Sequence, residues 1–522
     1  MRLPQVVRVR PGAQKSASTS LPAPIGGLNA KDSVANMPVT DAIVLENWFP
    51  KTTSVDVRNG FSQWNTFTGV CQSIIVYNGA TTTKIFPCVR NGSVYSIYDG
   101  TSSGALTTPV VGGPSDTVTA LTSSRFDYAN FGTTGGQFLT VVNGADTPLE
   151  YNGSAWSTTT TTGGTLTDYF TVAVFQRRLW YGIKNSLTVR YLPVDSKSGA
   201  TTALDLGPLF KLGGYLNSII TLTDATDALN DYIAFMSSQG EIVAFEGTDP
   251  SSASTWRLAA HFRIGRPVIK GNRCWTKLGS DALVLCADGV YPLRRAIRED
   301  NRSGVSAISD KIRNLINGDV AINGNRAGWS IVVHPTGSKL IVNVPTDEDV
   351  ASYQYVMNTE TGAWCKFTGW TAFCFEVAKD TLYFGGNGVM VKADTGKDDG
   401  GNAIVADAKQ AFNYLGNRGR VKQVKLMRPL FAVSGEFNIG IDVDTDYEDT
   451  PPTYLRPVAG GSGDPWGGIW DVTWGGSMTV QNNWYGVNGV GHAIAPRIKT
   501  MTDSISLSWS ATDLVYEVGG VL

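Results

Sequence analysis

The side chains that could carry chemistry are few, and their spacing does not favour catalysis. Residues Gly100 to Gly104 read GTSSG and match the G-x-S-x-G pattern of nucleophilic serines. That pattern requires a strand before the serine and a helix after it, whereas here it lies in a run of Thr, Ser and Gly. The three histidines, His261, His334 and His492, have no partner at the spacing of a zinc site or a catalytic pair. We therefore expect a protein that is not an enzyme.

One acidic segment could bind a metal. The sequence DVDTDYED places Asp442, Asp444 and Asp446 two residues apart. An EF-hand calcium loop has Gly at its sixth position and Glu at its twelfth, where this chain has Tyr447 and Thr453. Alternation explains the carboxylates more simply, because Asp442 and Asp444 would lie on the solvent face of a strand. We expect no cofactor, and these three aspartates are the candidate ligands if a metal binds.

The composition indicates a large, turn-rich β protein. The chain has 522 residues, which suggests two to four domains unless a repeat extends one of them. It has 58 glycines and only 17% charged residues. The net charge of −2 argues against tight wrapping of nucleic acid, which needs a basic surface. Loose passage of DNA through a pore remains compatible with it.

The six cysteines are spread over 300 residues without a C-x-x-C pair. Several lie inside apolar strands, as in LVLCADG and TAFCFEV. We predict reduced, buried thiols in preference to a disulfide framework.

The first 24 residues are predicted to form a flexible basic arm that orders on a partner, with plain disorder as the alternative. Arg2, Arg8, Arg10 and Lys15 supply its charge, and it lacks the apolar run of a signal peptide. No stretch of the sequence approaches the ~20 apolar residues of a membrane span. We expect a protein made in the cytoplasm.

A strand–turn–strand unit recurs between about residues 70 and 396. Its seven instances start 40 to 58 residues apart and are Lys84–Gly100, Phe138–Gly153, Arg178–Leu192, Tyr232–Gly247, Ala282–Ala296, Leu340–Asn358 and Leu382–Gly396. This spacing allows four strands per unit and is typical of a β-propeller. We predict an all-β fold with a propeller of six to eight blades over residues 25–396, and favour it over a string of β-sandwiches.

Two segments read as helical. Ser306–Asn317 places Ile308, Ile312, Leu315 and Ile316 at helical spacing and predicts a packing helix. Thr40 would cap a short amphipathic turn that buries Ala42, Leu45 and Trp48 and ends at Pro50.

The strand Val55–Val57 follows that turn, and we predict that it closes the ring by pairing with the last blade near Leu382–Val391.

Residues 397–522 are predicted to form an additional C-terminal antiparallel β domain. Phe437, Ile439, Ile441 and Val443 alternate with polar residues, as do Ile505, Leu507 and Trp509. Between these strands lies a Gly-rich insertion that we expect to pack on a neighbour, and its tryptophans are Trp466, Trp470, Trp474 and Trp484.

The sequence resembles a known family at its beginning, middle and end. The segment Gly26–Phe61 contains GGLN, Met37-Pro38, LENWFP and VRNGF; the middle contains FEGTDPSSASTW and LVLCADGVYPL; the end reads DLVYEVGGVL. These motifs resemble the tail nozzle, or tail tubular protein B, family of short-tailed bacteriophages (podoviruses).

The resemblance implies a structural protein of the virion tail. Such subunits carry a propeller and assemble as a homohexamer below the tail adaptor protein, where the ring extends the DNA channel and gates genome ejection. Genomic DNA passes through the lumen without sequence-specific binding. Tail fibre or tailspike proteins and the host envelope are further contacts that the resemblance implies.

The alternative function is a propeller-type adhesin that binds a receptor glycan through Trp466, Trp470, Trp474 and Trp484. Arg2, Arg8 and Arg10 are the other predicted interaction residues. A hydrolase acting on the host surface is less favoured, because the sequence singles out no carboxylate pair or triad.

Overall fold

The computed structural model describes residues 16–114, 116, 118, 120–223, 231–268, 273–299, 306–458 and 479–519. The chain divides into two compact units. One consists of Asn59–Gly400, which we call the propeller. The other combines Met1–Arg58 with Gly401–Leu522, and we call it the composite β unit.

The described residues of the propeller form seven blades of antiparallel strands in chain order, and blades 1 and 7 share the strand Phe61–Asn78. Blade 1 has the second half of Phe61–Asn78, Thr83–Asn91 and Val94–Ile97. Blade 2 has Asp127–Thr133, Gly136–Val142, Leu149–Tyr151 and Trp156–Thr158. Blade 3 has Tyr169–Phe175, Arg178–Ile183, Thr188–Tyr191 and Thr202–Asp205. Blade 4 has Leu216–Thr223, Asp231–Ser237, Glu241–Gly247 and Trp256–Arg263, and blade 5 has Trp275–Leu278, Asp281–Cys286 and Gly289–Pro292. Blade 6 has Ser330–His334, Lys339–Asp347, Ala351–Asn358 and Trp364–Phe367, and blade 7 has Cys374–Ala378, Thr381–Gly385 and Asn387–Ala393.

The blades form a closed ring. The first strand of each blade contacts a strand of the next blade, and the first strand of blade 7 contacts Phe61–Asn78. Apolar side chains fill the spaces between neighbouring blades, as Phe131, Val142 and Tyr169 do between blades 2 and 3. A single blade has two faces to bury, and radial packing buries both.

The ring closes through a strand other than the predicted one. Phe61–Asn78 runs through two blades, pairing with Asn387–Ala393 over residues 61–70 and with Thr83–Asn91 over residues 70–78. Val55–Val57 pairs instead with Trp48–Pro50 and Leu507–Val518. The predicted closure by Val55–Val57 is therefore wrong, and the strand that follows it supplies the pairing.

The predicted repeat is confirmed as a structural unit. Each of the seven instances contains the second and third strands of one blade, for example Arg178–Ile183 and Thr188–Tyr191 in blade 3. Tight turns join these strands, which is why Gly and Asn recur between the apolar runs.

Helices are few among the described residues. Leu293–Glu299 follows blade 5, and the 3-10 turn Asp310–Ile312 leads into the helix Arg313–Asn323. The helix thus begins and ends later than the predicted Ser306–Asn317. It continues through Gly318, and Asp319 within it accepts a hydrogen bond of 2.7 Å from the Tyr355 hydroxyl. Further 3-10 turns are Leu166–Asp168 and Gly207–Leu209, and no described helix is long and apolar enough to span a bilayer.

The composite β unit contains two sets of paired strands. The first set is Ser16–Pro22, Trp48–Pro50, Val55–Val57, Lys422–Val433, Thr479–Gln481, Tyr485–Gly491 and Leu507–Val518. The second set is Gly27–Leu28, Asp41–Glu46, Ile404–Gln410, Phe437–Thr445, Arg456–Val458 and Ile494–Thr502. Because strands from both ends of the chain pair with one another, this unit is more than the predicted C-terminal domain.

The predicted helical turn after Thr40 is wrong. Asp41–Glu46 and Trp48–Pro50 are strands. A bulge between Ala42 and Val44 and the left-handed backbone of Asn47, whose φ is 58°, interrupt the alternation of faces. Ala42, Leu45 and Trp48 are therefore all buried at a spacing of three, which imitates a helix in the sequence.

The predicted domain boundaries also differ from the observed division. Residues 25–58 belong to the composite β unit, and the second boundary lies at 400/401 instead of 396/397. Within the predicted arm of residues 1–24, Ser16–Pro22 is a strand paired with Leu507–Val518. Residues 1–15 lie outside the described residues.

All six cysteines are free and buried, as predicted. Burial raises the pKa of Cys88 to about 12 and that of Cys274 to about 11. The thiols of Cys88 and Cys274 therefore stay protonated at neutral pH, and they act as small apolar side chains.

Candidate functional site

The best candidate site is a pocket on the axis of the propeller, which we call the axial pocket. Its cavity volume is about 50 Å³. Residues at or just before the beginning of the inner strands of five blades line it: Gln72, Ser73, Arg125, Phe126, Arg273, Gly328, Trp329, Ser330, Phe373, Cys374 and Phe375. A ring of radially arranged sheets brings these distant segments together, because the inner strands all face the axis.

Arg273 lines this pocket and connects three blades. Its Nη1 donates to the Glu376 carboxylate and to the Phe375 carbonyl, and its Nη2 donates to the Ile74 carbonyl at 3.2 Å. The guanidinium also lies 5.2 Å from the centre of the Tyr128 ring. Burial alone would lower the pKa of Arg273, but Glu376 and Tyr128 raise it, so the guanidinium remains charged.

Asp127 supports the same region from blade 2. Its Oδ2 accepts hydrogen bonds from the Thr171 hydroxyl at 2.6 Å and from the Val172 amide at 3.1 Å, and its Oδ1 accepts one from the Tyr128 amide at 3.0 Å. Burial nevertheless raises the pKa of Asp127 above its ordinary value. These bonds direct the carboxylate at blades 2 and 3.

Asp349 forms a second junction, in the turn that joins the second and third strands of blade 6. It accepts hydrogen bonds from Gln72 Nε2 at 2.6 Å, from Arg90 Nη2 at 2.8 Å and from Arg125 Nη2 at 3.1 Å. Neighbouring Glu348 accepts a further bond from Arg125 Nη2 at 3.0 Å. Since the side chain of Asp349 is only 7% exposed, this junction ties blade 6 to blades 1 and 2 through largely desolvated contacts.

The charged side chains around the pocket are mostly bonded to one another. The carboxylates around it are occupied by guanidinium, amide or hydroxyl donors, as described above. The Ser330 hydroxyl differs, because it is buried and has no hydrogen-bond partner among the described residues.

The predicted interaction residues are only partly within the described structure. Trp484 is 41% exposed, and the Arg428 guanidinium lies 4.6 Å from the centre of its ring. The remaining predicted interaction residues, Arg2, Arg8, Arg10, Trp466, Trp470 and Trp474, lie outside the described residues.

The three candidate metal ligands point to different partners. Asp444 is buried against Lys409 at 2.7 Å, so its predicted position on a solvent face is wrong. Asp446 accepts hydrogen bonds from the His492 and Ala493 amides at 2.8 and 2.9 Å, and Asp442 accepts one from the Val443 amide. In the part of the chain that is described, no group of three or more His, Cys, Asp or Glu side chains is placed to hold a metal.

The other motifs have structural surroundings. The GTSSG segment is a loop that ends in the two-residue strand Gly104–Ala105, without the helix that a nucleophilic serine requires. His334 lies 3.4 Å from Asp394, and His261 lies 3.3 Å from Glu241.

Sequence reasoning missed Arg273, Asp349 and Glu376. None of them belongs to a motif with a known spacing, and their partners come from other blades. The one available signal was that Arg273 comes just before the apolar residues Cys274 and Trp275 at the start of a strand, but the sequence alone does not show which charge is nearby.

No family model matches this chain. The comparison with curated proteins also gave no match. Among solved structures, the chain is similar to BBS1N, crystallised in complex with ARL6DN and soaked with mercury, at 11% identity and a TM-score of 0.37, covering 65% of this chain and 97% of that chain. It is also similar to the computationally designed Ika8 protein, at 8% identity and a TM-score of 0.35; the match covers 64% of this chain and 99% of that chain. A third similar structure is a glycoside hydrolase family 43 arabinoxylan arabinofuranohydrolase from Bacillus subtilis, at 10% identity and a TM-score of 0.27. This match covers 85% of this chain and 95% of that chain.

Proposed function

We propose that the chain is a non-enzymatic structural subunit of the tail nozzle of a short-tailed bacteriophage. Six copies would form a ring in the virion that extends the DNA channel and gates genome ejection. The observation that carries this proposal is that the residues of the family-like segment Gly26–Phe61 are used for packing and backbone geometry.

Asn29 and Asn47 illustrate this use. Asn29 Nδ2 donates to Asp41 Oδ2 at 2.7 Å and to Asp32 Oδ2 at 2.9 Å. Asn47, in its left-handed conformation, donates to the Val405 carbonyl at 2.8 Å and accepts from Arg58 Nε at 2.8 Å. Both side chains thus fix turns of the composite β unit.

Trp48 is the apolar counterpart in the same segment. It is fully buried and stacks on Phe431, with ring centres 6.5 Å apart, while Trp509 packs against it at 5.7 Å. A signature made of packing residues suits a protein whose role is to build an assembly.

The axial pocket bears on the path that DNA would take. Arg273 and aromatic side chains from several blades line this pocket, whose cavity volume is only about 50 Å³. A DNA duplex, whose major groove alone is about 12 Å wide, could not pass there. In the proposed nozzle, DNA therefore runs through a lumen enclosed by several copies.

The net charge of −2 fits such a conduit, because a lumen that conducts DNA should not bind phosphates tightly. The proposed partners are the tail adaptor protein, a tail fibre or tailspike and, at the distal end, the host envelope. Arg2, Arg8 and Arg10 are the residues that we propose for contact with the adaptor.

Assembly with the adaptor tests this function. The purified chain is mixed with the adaptor protein of the same phage, and the mass of the complex is measured by native mass spectrometry. We expect six copies on one adaptor ring. A chain that stays monomeric with the adaptor, or that forms only trimers, would overturn the proposal.

A receptor-binding adhesin is the second candidate, and the exposed ring of Trp484 favours it. In that case the isolated monomer binds host cells, and Trp484→Ala abolishes binding. A nozzle subunit instead retains assembly after this change.

A further inference from the structure

We propose that Cys71 and Cys374 form a site of oxidative modification, at which hydrogen peroxide converts the two thiols into a disulfide that locks the ring of the propeller. This inference is independent of the nozzle role, since it depends only on contacts within the propeller.

The first observation is the distance between the two sulfurs. Cys71 Sγ and Cys374 Sγ lie 3.9 Å apart, although the residues are 303 positions apart in the chain. The S–S bond of a disulfide is about 2 Å long, so each sulfur has to move by only about 1 Å. Both side chains are buried, and the Cys374 thiol also donates to the Cys71 carbonyl at 3.6 Å. The two thiols are thus held side by side in the reduced protein.

The second observation is a space that a glycine leaves beside both sulfurs. Gly385 stands directly opposite Cys374 in the strand register of blade 7. A Cβ atom at Gly385 would lie 2.5 Å from Cys71 Sγ and 2.9 Å from Cys374 Sγ, which is closer than such atoms approach one another. The backbone of Gly385 is not left-handed, so space and not conformation calls for glycine here. Only a residue without a Cβ leaves room for both sulfurs at their present distance.

The position of the pair on the ring gives the disulfide its effect. Cys71 lies where Phe61–Asn78 leaves blade 7 and enters blade 1, at a bulge in its pairing with Thr83–Asn91. Cys374 begins the first strand of blade 7. The backbone pairing of Phe61–Asn78 closes the ring at this junction, and a disulfide would add a covalent bond there. Because the bond would join residues 303 positions apart, it would strongly restrict the unfolded chain.

The surroundings assign a role to each thiol. Cys374 is 6% exposed and lines the axial pocket, whereas Cys71 is fully buried. A cavity of about 50 Å³ has room for water-sized molecules, and hydrogen peroxide is only slightly larger than water. Burial also raises the pKa of the Cys71 thiol, which disfavours its attack on peroxide. Cys374 is therefore the thiol that peroxide oxidises first, and Cys71 is the thiol that resolves the product.

The reaction has two steps. The Cys374 sulfur attacks one peroxide oxygen and the O–O bond breaks, which gives a sulfenic acid on Cys374 and one water that takes up the thiol proton. The Cys71 sulfur then attacks the sulfenic sulfur, the S–S bond forms, and the S–O bond breaks. The leaving hydroxide takes up the Cys71 proton as a second water. Two thiols are thus oxidised by two electrons in total, and one hydrogen peroxide is reduced to two waters.

Peptide mapping of the full-length chain tests the proposal. The folded protein is treated with hydrogen peroxide, the remaining thiols are blocked with N-ethylmaleimide in urea, and trypsin is added without a reductant. Cleavage after Lys and Arg places Cys71 in the peptide of residues 59–84 and Cys374 in that of residues 367–379. We expect these two peptides as one joined species that is two hydrogen atoms lighter than their sum and that dithiothreitol separates.

Cys71→Ala and Cys374→Ala should each abolish the joined species. Cys88→Ala is the matched control, because Cys88 is equally buried on the neighbouring strand and falls in a separate tryptic peptide, residues 85–90. This variant should form the joined species as the wild type does.

Urea unfolding followed by tryptophan fluorescence measures the effect of the disulfide on stability. Oxidation should raise the urea midpoint of the wild type by about 0.5–1 M, because the disulfide restricts the unfolded chain. Oxidation of Cys374→Ala should leave its midpoint unchanged.

Three results would overturn the inference: peroxide leaves Cys71 and Cys374 unlinked in the folded protein, the disulfide joins Cys88 to either of them instead, or the linked chain unfolds at the same urea concentration as the reduced chain. None of these measurements depends on assembly with the adaptor, so failure of this inference is distinguishable from failure of the nozzle proposal.

Discussion

The two units of the chain bury their charges in different ways. In the composite β unit, Lys409, Arg497 and Asp444 lie on three strands of one sheet, and Lys409 stands directly opposite Arg497 in the strand register. Lys409 pairs with Asp444 at 2.7 Å, and Arg497 binds both oxygens of Asp407 at 3.1 and 2.9 Å. In the propeller, Arg273 and Glu376 come from different blades.

The difference concerns what each network holds together. The network of the composite β unit joins strands that already share backbone hydrogen bonds, so its charges add little to the connectivity of that sheet. The charges on the axis join blades that share no backbone ladder. We infer that the axial contacts contribute more to the integrity of their unit, and the predictions below test this contrast in order of expected effect.

Arg273→Met should have the largest effect. Glu376 would lose its guanidinium partner, and the Phe375 and Ile74 carbonyls would each lose a hydrogen bond to a charged group, which is typically worth about 1.5–3 kcal/mol. Urea unfolding followed by tryptophan fluorescence measures the loss. Arg177→Met is the control, because Arg177 is 70% exposed and pairs with Asp195 at the surface, where the expected change is below about 1 kcal/mol.

Equal effects of the two arginine substitutions would contradict the structural importance of the axis. A loss confined to the composite β unit would contradict it as well.

Lys409→Met should destabilise the composite β unit by about 3 kcal/mol, because it leaves Asp444 buried without its lysine. The double change Lys409→Met with Asp444→Leu should recover most of this loss, since apolar residues of similar volume can replace a buried pair. Urea midpoints of the wild type, both single variants and the double variant give the coupling energy. A double variant as unstable as the sum of the single variants would show that the two side chains act independently.

Two carboxylates of the propeller should change the pH dependence of stability in opposite directions. We expect these effects to be smaller than those of the substitutions above. Burial raises the pKa of Asp127, so its contribution is lost as the pH rises from the ordinary value of 3.8 through the folded pKa. Burial also opposes ionisation of Asp394, but His334 and Lys339 lower its pKa overall, so its contribution is lost as the pH falls below 3.8.

Asp127→Asn should therefore reduce the loss of stability above pH 3.8, and Asp394→Asn should reduce the loss below it. Urea unfolding at a series of pH values, with each variant compared with the wild type, measures both slopes. Identical profiles for the two variants would contradict this assignment.

The sequence predicted much of the propeller because its signal is local. Each apolar hairpin, such as Arg178–Leu192, carries its own turn and alternation, and the hairpins recur at the spacing of a blade. The pairing that closes the ring joins residues 61–70 to Asn387–Ala393, more than 300 positions away. Residues 61–70 include exposed polar side chains, so their pattern did not distinguish them from a loop.

The dependence on tertiary structure also explains why the sequence did not predict the candidate site. Helical spacing of Ala42, Leu45 and Trp48 came from a bulge and a left-handed residue, which periodicity alone does not reveal. Arg273 and Glu376 are 103 positions apart and meet only because the ring closes. Composition predicted that charges would be few, but their partners depend on tertiary structure.

Electron microscopy of the virion tests the central claim, that this chain is a ring-forming structural subunit of a tail. Particles labelled with an antibody against the chain, or reconstructed to a resolution that shows the blades, give its position and symmetry. The account predicts a six-fold ring on the tail axis, with DNA density between the copies. Three-fold appendages at the periphery, or absence of the chain from the virion, would contradict it.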